Sequence, residues 1–262
     1  MIDTHCHLTF PALSSRIDEI REANYEAGIR GMITIATTSA GCAENLALAE
    51  AYEDVWCSAG VHPLYADEEI DWQQVHDAGK HPRCVAWGEL GLDNFHKKPT
   101  LQLQTTVLEE QLGRLETWSR EGLQKPVVLH CRDAYEELLP ILDGCCLPNE
   151  SFVFHCFTGG PAEARKVLDF GAMISFTGVV TYANAAEVAE AATLVPDDRI
   201  MVETDAPYLS PEPLRGKHPN LPTNVVHTAR FMAALRNTDY RTFERVLDQN
   251  AERFFGIQLP LA

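Results

Sequence analysis

Short apolar runs alternate along the chain with longer segments whose apolar residues recur every three or four positions, and this rhythm persists from one end to the other. Ile2-Asp3-Thr4-His5-Cys6-His7 reads as a first strand, which puts His5 and His7 on one face and Cys6 on the other. From Ser14 to Gly28 the spacing of Ile17, Ile20, Ala23 and Ala27 is helical, and Gly28 suits a C-terminal cap. Further strands are predicted at 31–36, 55–61, 84–89, 126–130, 151–155, 172–176 and 199–205. Helices are predicted at 43–52, 67–79, 101–121, 134–142, 161–170, 185–192, 225–235 and 240–255. Eight strand–helix units with almost continuously apolar strands are the pattern of a parallel sheet covered by helices. A closed (β/α)8 TIM barrel, one domain over residues 1–262, fits best, since such barrels run to roughly 250 residues. An open doubly wound sheet would carry a glycine-rich phosphate loop after its first strand, and none is present.

In such a barrel the active site lies at the C-terminal ends of the strands, so the polar residues that end apolar runs carry the most information. They are His5 and His7 on strand one, His62 on strand three, Glu89 on strand four, His130 on strand five, His155 on strand six, and Glu203 and Asp205 on strand eight. Any one of them could be a hydrogen-bonded core residue. Together they bring imidazoles and carboxylates to one mouth, where burial without a cation would be costly. Their number suggests two divalent metal ions: His5, His7 and Asp205 for one, His130 and His155 for the other, and Glu89 as a bridge. Ions ~4 Å apart can share and acidify a water that serves as nucleophile. Asp205 would then act as ligand and general base, with Glu89 as its catalytic companion, while Glu203, deeper on the same face, orients the ligands. The donor set suits zinc, manganese or nickel better than calcium, with magnesium a further candidate.

Composition narrows the substrate. Formal net charge is -17, from 21 Lys plus Arg against 38 Asp plus Glu, which excludes coating of nucleic acid by a broad basic surface. Basic residues nevertheless gather near the mouth: Arg132 two residues past His130, His96-Lys97-Lys98 after strand four, and Arg215-Gly216-Lys217-His218 after strand eight. An anionic substrate is expected, a phosphodiester or a DNA end, with His62, Arg132 and Arg215 as contacts and Asp133 capping the helix that follows. None of the six lysines ends a strand, which argues against a Schiff-base aldolase or a carboxylated-lysine hydrolase. The eight cysteines form no Cys-x-x-Cys pair and mostly sit in apolar runs, which points to a reducing cytoplasm. No window approaches the ~18 apolar residues of a membrane span, and nothing implies an obligate protein partner, so a monomer is expected.

These residues also form an ordered series of motifs: Ile2-Asp3-Thr4-His5-Cys6-His7-Leu8, Gly60-Val61-His62-Pro63, Gly88-Glu89-Leu90-Gly91-Leu92-Asp93, His130-Cys131-Arg132-Asp133-Ala134, His155-Cys156-Phe157-Thr158-Gly159 and Glu203-Thr204-Asp205-Ala206-Pro207-Tyr208-Leu209. The chain resembles, over essentially its whole length, the TatD-type metal-dependent deoxyribonucleases of the amidohydrolase superfamily. The resemblance implies a two-metal hydrolase of phosphodiester bonds, often in DNA, with His5, His7, Glu89, His130, His155 and Asp205 as ligands. Asn94, Thr9 and Leu221 depart from residues usual in that family, all in loops. With the acidic charge, these departures favour a short single strand, a 3′ end or a small phosphodiester over duplex DNA. Two other readings stand beside this one: hydrolysis of a C–N or ester bond of a small molecule, and a non-catalytic scaffold that keeps its metals for structure.

Overall fold

The computed structural model describes residues 1–260. Eight parallel strands run in sequence order: β1 (Ile2–Cys6), β2 (Gly31–Thr34), β3 (Val55–Ala59), β4 (Cys84–Asp93), β5 (Val127–Arg132), β6 (Phe152–Phe154), β7 (Met173–Phe176) and β8 (Ile200–Val202). Around them lie α1 (Ile17–Ala27), α2 (Ser39–Ala51), α3 (Trp72–Lys80), α4 (Leu101–Arg120), α5 (Tyr135–Asp143), α6 (Pro161–Phe170), α7 (Ala186–Leu194), α8 (Val225–Leu235) and α9 (Tyr240–Phe255). This is the expected (β/α)8 barrel. No helix among the described residues is long and apolar enough to cross a membrane.

Alternation along the strands sorts the side chains into two apolar layers. Val127 and Leu129, or Phe152 and Phe154, face the surrounding helices in one core, while Val128, Val153, Met173 and Met201 fill the inside of the barrel in another. Phe255, Ile257 and Leu259 from the end of the chain join that inner cluster. On the inward face the next residues but one towards the mouth are His130 after Val128, His155 after Val153, and Glu203 then Asp205 after Met201. One periodicity therefore packs the barrel with apolar side chains below and ionisable ones above.

Among the described residues the seam between β8 and β1 has a single backbone bridge, Cys6 with Ala206, and it lies at the mouth. Asp205 N–H donates to His5 O at 2.9 Å and His7 N–H to Ala206 O at 2.7 Å. Below them the Asp3 carboxylate accepts from Thr204 N–H at 2.9 Å and from the Thr204 hydroxyl at 2.5 Å, so a side chain extends the ladder. Barrel closure thus holds His5, His7 and Asp205 together.

The strand boundaries moved most at β4, which runs on to Asp93 instead of ending at Glu89. Its glycines make that possible. Gly91 pairs with His130 across the ladder, and at its φ of 144° a Cβ would stand 2.0 Å from His130 O. Elsewhere α3 begins at Trp72 because Asp71 caps it, accepting from Gln73 and Gln74 N–H. Asp133 does not cap α5: the N-cap is Ala134, without a side-chain bond, and Asp133 has a φ of 53° at the turn.

Candidate metal centre and active site

All eight of the polar residues that end strands meet at the mouth of the barrel. The ligand atoms of His5, His7 and Asp205 lie within 4.8 Å of one another, as do those of His62, Glu89 and His130, and those of His5, His155 and Glu203. His7 Nε2 is 3.2 Å from Asp205 Oδ1, and His5 Nε2 is 3.6 Å from the same oxygen. Glu89, buried among them, divides its two oxygens. Oε2 faces His5 Nε2 at 3.3 Å and His7 Nε2 at 4.0 Å, whereas Oε1 faces His155 Nε2 at 2.6 Å, His130 Nδ1 at 2.9 Å and His62 Nε2 at 3.3 Å.

The second nitrogen of each ring decides what the first can do, because a neutral imidazole has one N–H and one lone pair. His7 Nδ1 lies 3.2 Å from Ile35 O, a partner that can only accept, so the proton sits on Nδ1 and Nε2 keeps its lone pair. His155 Nδ1 lies 3.2 Å from Glu203 Oε1, again leaving Nε2 as a donor atom for a cation. Glu203 is itself fixed: Oε1 accepts from Cys156 N–H and Oε2 from the Ser175 hydroxyl, each at 2.6 Å. For His130 the roles are reversed, since Nε2 faces Asp93 Oδ2 at 3.1 Å and Nδ1 turns into the site, 3.1 Å from His62 Nε2. His62 differs from the other three. Its Nδ1 accepts from Leu64 N–H at 3.0 Å, so its proton is on Nε2 and points into the site as a hydrogen-bond donor.

The inward-facing nitrogens of His7, His130 and His155 converge around Glu89. His155 Nε2 is close to Glu89 but not aligned for a hydrogen bond, and both it and His5 Nδ1 are buried without a hydrogen-bond partner among the described residues. An orphaned donor atom such as His155 Nε2, with Glu203 behind its ring, is what a divalent cation requires, and the residues fit one; in His5 the nitrogen that faces Glu89 and Asp205 is Nε2, not the orphaned Nδ1. Charge states agree. Burial opposes the charge on Glu89, yet the His155, His62 and His5 rings around it hold the carboxyl well below its ordinary range. For Asp205, burial is outweighed by the neighbouring imidazoles, His7 first, and its pKa is lowered. Burial also brings His62 down to about 4, which leaves it neutral near pH 7. His155 goes the other way: Glu89 and Glu203 overcome its burial and raise its pKa well above the usual value, so a cation at Nε2 must displace a proton.

A cavity of about 580 Å³ opens above these residues, lined among others by His62, Glu89, Asp93, Arg132 and Asp205. A family model described as TatD related DNase matches residues 2–256. The chain belongs to that family. It is 35% identical to the metal-dependent hydrolase YcfH of Escherichia coli, over 98% of this chain and 96% of the relative. It is 33% identical to a 3′-5′ ssDNA/RNA exonuclease TatD of Citrobacter rodentium, over 100% of both. The crystal structure of YjjV, a TatD homologue of Escherichia coli, superposes with a TM-score of 0.91 at 29% identity, covering 98% of each chain. As a member of the TatD family the protein is a metal-dependent hydrolase.

Of the residues expected at the substrate, His62 and Arg132 reach the cavity. Arg215 does not: its guanidinium packs over the Tyr182 ring at 4.1 Å, in a loop that carries it off the cavity wall. Lys97 is turned back onto Asn94. Asp93 is a residue that sequence reasoning missed. It is buried, and its oxygens hold His130 and, at 2.8 Å, His96 Nδ1. The alternation Glu89, Gly91, Asp93 within Gly-Glu-Leu-Gly-Leu-Asp was the available signal.

Proposed function

We propose that this protein hydrolyses phosphodiester bonds, in a short single strand, a 3′ end of DNA or a small phosphodiester, with the help of two divalent cations. The division of Glu89 between two sets of donors supports two ions: His5, His7 and Asp205 beside Oε2, His130 and His155 beside Oε1, with the carboxylate shared. The observation that carries the choice of phosphate is Arg132, a guanidinium on the wall of a cavity whose floor is otherwise imidazole and carboxylate. Divalent cations held by these residues would supply polarisation of the phosphoryl oxygen and a more acidic water.

The chain's own groups then have distinct tasks. Arg132 pairs with the non-bridging oxygens through charge-assisted hydrogen bonds, and His62 donates its Nε2 proton to the same group. Asp205, ionised and partly open to the cavity, takes the proton of the attacking water and returns it to the leaving oxygen. Glu203 and Asp93 keep His155 and His130 in the tautomers that bind metal. The resemblance to an exonuclease acting on single-stranded DNA and RNA supports the same class of bond. Eight free cysteines, five of them buried, suit a reducing cytoplasm as the place of action.

The test is a hydrolysis screen of phosphodiesters, single-stranded oligonucleotides and cyclic amides, with zinc, manganese, nickel and magnesium each supplied in turn. Asp205→Asn is measured beside wild type at saturating metal, where kcat is expected to fall far more than metal occupancy. Turnover of the amides alone would overturn the phosphodiester reading. Full recovery of Asp205→Asn at saturating metal would make Asp205 a ligand only.

A further inference from the structure

The two ends of the cavity differ in chemistry, and barrel topology sets them on opposite sides. Asp93, His96 and Arg132 come from the ends of β4 and β5. Phe10, Val179, Tyr208 and Leu209 come from the segments after β1, β7 and β8, across the barrel, and make an apolar and aromatic wall. Two of these aromatics stand out. Phe10 lies nearly parallel to the His7 ring, with centroids 4.6 Å apart, and meets Tyr208 edge to face at 6.3 Å. Tyr208 is 48% exposed although it is a large aromatic at the lip of the site.

Its exposure is not looseness. Tyr208 N–H donates to Asp205 O at 2.9 Å, and Tyr208 O accepts from the buried Asn220 side chain at 2.6 Å. Asn220 Nδ2 also reaches Thr204 O at 3.2 Å, which ties this turn to the strand that presents Asp205. The backbone that carries the ring is thus fixed, and the flat ring, flanked by Phe10 at 6.3 Å and His218 at 6.4 Å, stands open to solvent one turn beyond the proposed base. Such a surface costs little to order when a planar partner arrives, and every nucleobase has a face that can stack on it.

We infer that Tyr208, buttressed by Phe10, is the surface on which the terminal base of a single-stranded substrate stacks, while the phosphate chain leaves across the cavity towards Arg132. The assignment rests on the phosphodiester reading above and adds a polarity to it: base on the β8–β1 side, chain on the β4–β5 side. It also assigns the nucleobase itself to recognition, through its face and without selection among bases, because the wall is aromatic and apolar.

The experiment uses the metal-loaded full chain and pairs of single-stranded oligonucleotides that differ in one feature, a terminal nucleotide with its base or with a tetrahydrofuran abasic residue, placed at either end. In wild type the base should raise kcat/KM by about tenfold or more, within the roughly 5- to 150-fold range of stacking on an aromatic side chain. Tyr208→Phe should keep that ratio, and Tyr208→Ala should bring it close to one. As a second readout, a terminal 2-aminopurine in a phosphorothioate strand should lose fluorescence on binding to wild type and Tyr208→Phe but not to Tyr208→Ala. A ratio near one in wild type, or the same ratio in wild type and Tyr208→Ala, would overturn the assignment and leave the hydrolase reading intact. Failure of wild type to cleave either member of any pair with any of the metals would instead sink the nucleic-acid reading, and the stacking surface with it.

Discussion

Asp93→Asn is the sharpest probe of how the site is organised, because the change is one atom and the structure says where that atom will go. Oδ1 of Asp93 accepts from Phe95 N–H at 2.9 Å and His96 N–H at 2.8 Å, while Oδ2 faces the rings of His96 and His130. Hydrogen bonds from these two histidines outweigh burial and keep the carboxyl low, so both oxygens act only as acceptors. In the asparagine variant the amide oxygen stays with the two backbone donors, and the amide nitrogen takes the place of Oδ2. It now offers a proton to His130 Nε2. The ring must accept there and carry its own proton on Nδ1, 2.9 Å from Glu89 Oε1, which removes the lone pair proposed to hold metal. Changes to such supporting partners cost 10–100-fold in metal affinity or activity as a rule, and a reversed tautomer belongs at the upper end. We expect about 100-fold weaker binding, about 2.8 kcal/mol at about 1.4 kcal/mol per factor of ten, confined to one of two binding phases. Calorimetric titration with zinc and manganese measures the loss, and ¹⁵N spectra of labelled histidine report the tautomer. Wild-type affinity together with a proton still on His130 Nε2 would refute the reasoning.

Glu89→Gln should lower metal content and reduce turnover by about 100-fold or more, since an amide cannot serve two cations; metal analysis beside kcat checks this, and an unchanged rate at full metal content would remove Glu89 from the site. His62→Ala and Arg132→Ala should raise KM or depress kcat for a phosphodiester with metal content unchanged, and loss of metal from His62→Ala would mean that Nε2 is a ligand and not a donor to substrate. Gly91→Ala places a Cβ 2.0 Å from His130 O and should cost at least about 3 kcal/mol, seen as a large fall in Tm or loss of soluble protein. By contrast Gly113→Ala, inside α4 with nothing near its Cβ, should stabilise by about 0.4–1 kcal/mol in the same melting experiment.

Much of this protein is determined by periodicity alone. The change from alternation to helical spacing marks eight strand–helix units, and three helices, Pro161–Phe170, Val225–Leu235 and Tyr240–Phe255, begin and end at the predicted residues. Because side chains alternate along a strand, the same reading puts His130 above Val128 and Asp205 above Met201, so the strand-end donors could be named from the chain. Their company is legible for the same reason: parallel strands of a closed barrel bring all their C-terminal ends to one mouth.

What spacing cannot carry is anything that depends on a partner distant in sequence. Strand β4 continues to Asp93 because it finds hydrogen bonds beside β5, and a local apolar pattern that pauses at Glu89 holds no record of that neighbour. Arg132 and Arg215 look alike in sequence, each a basic residue in the stretch that follows a predicted strand. One lines the cavity, and the other is drawn off it by a tyrosine more than thirty residues earlier in the chain. The proton on each histidine is the clearest case. His7, His130 and His155 expose a lone pair and His62 an N–H because of what lies behind each ring: Ile35 O, Asp93, Glu203 and Leu64 N–H. The residue types at the mouth belong to the sequence, but the direction in which each donates or accepts belongs to the packing, since one imidazole serves either purpose until a second contact fixes its tautomer.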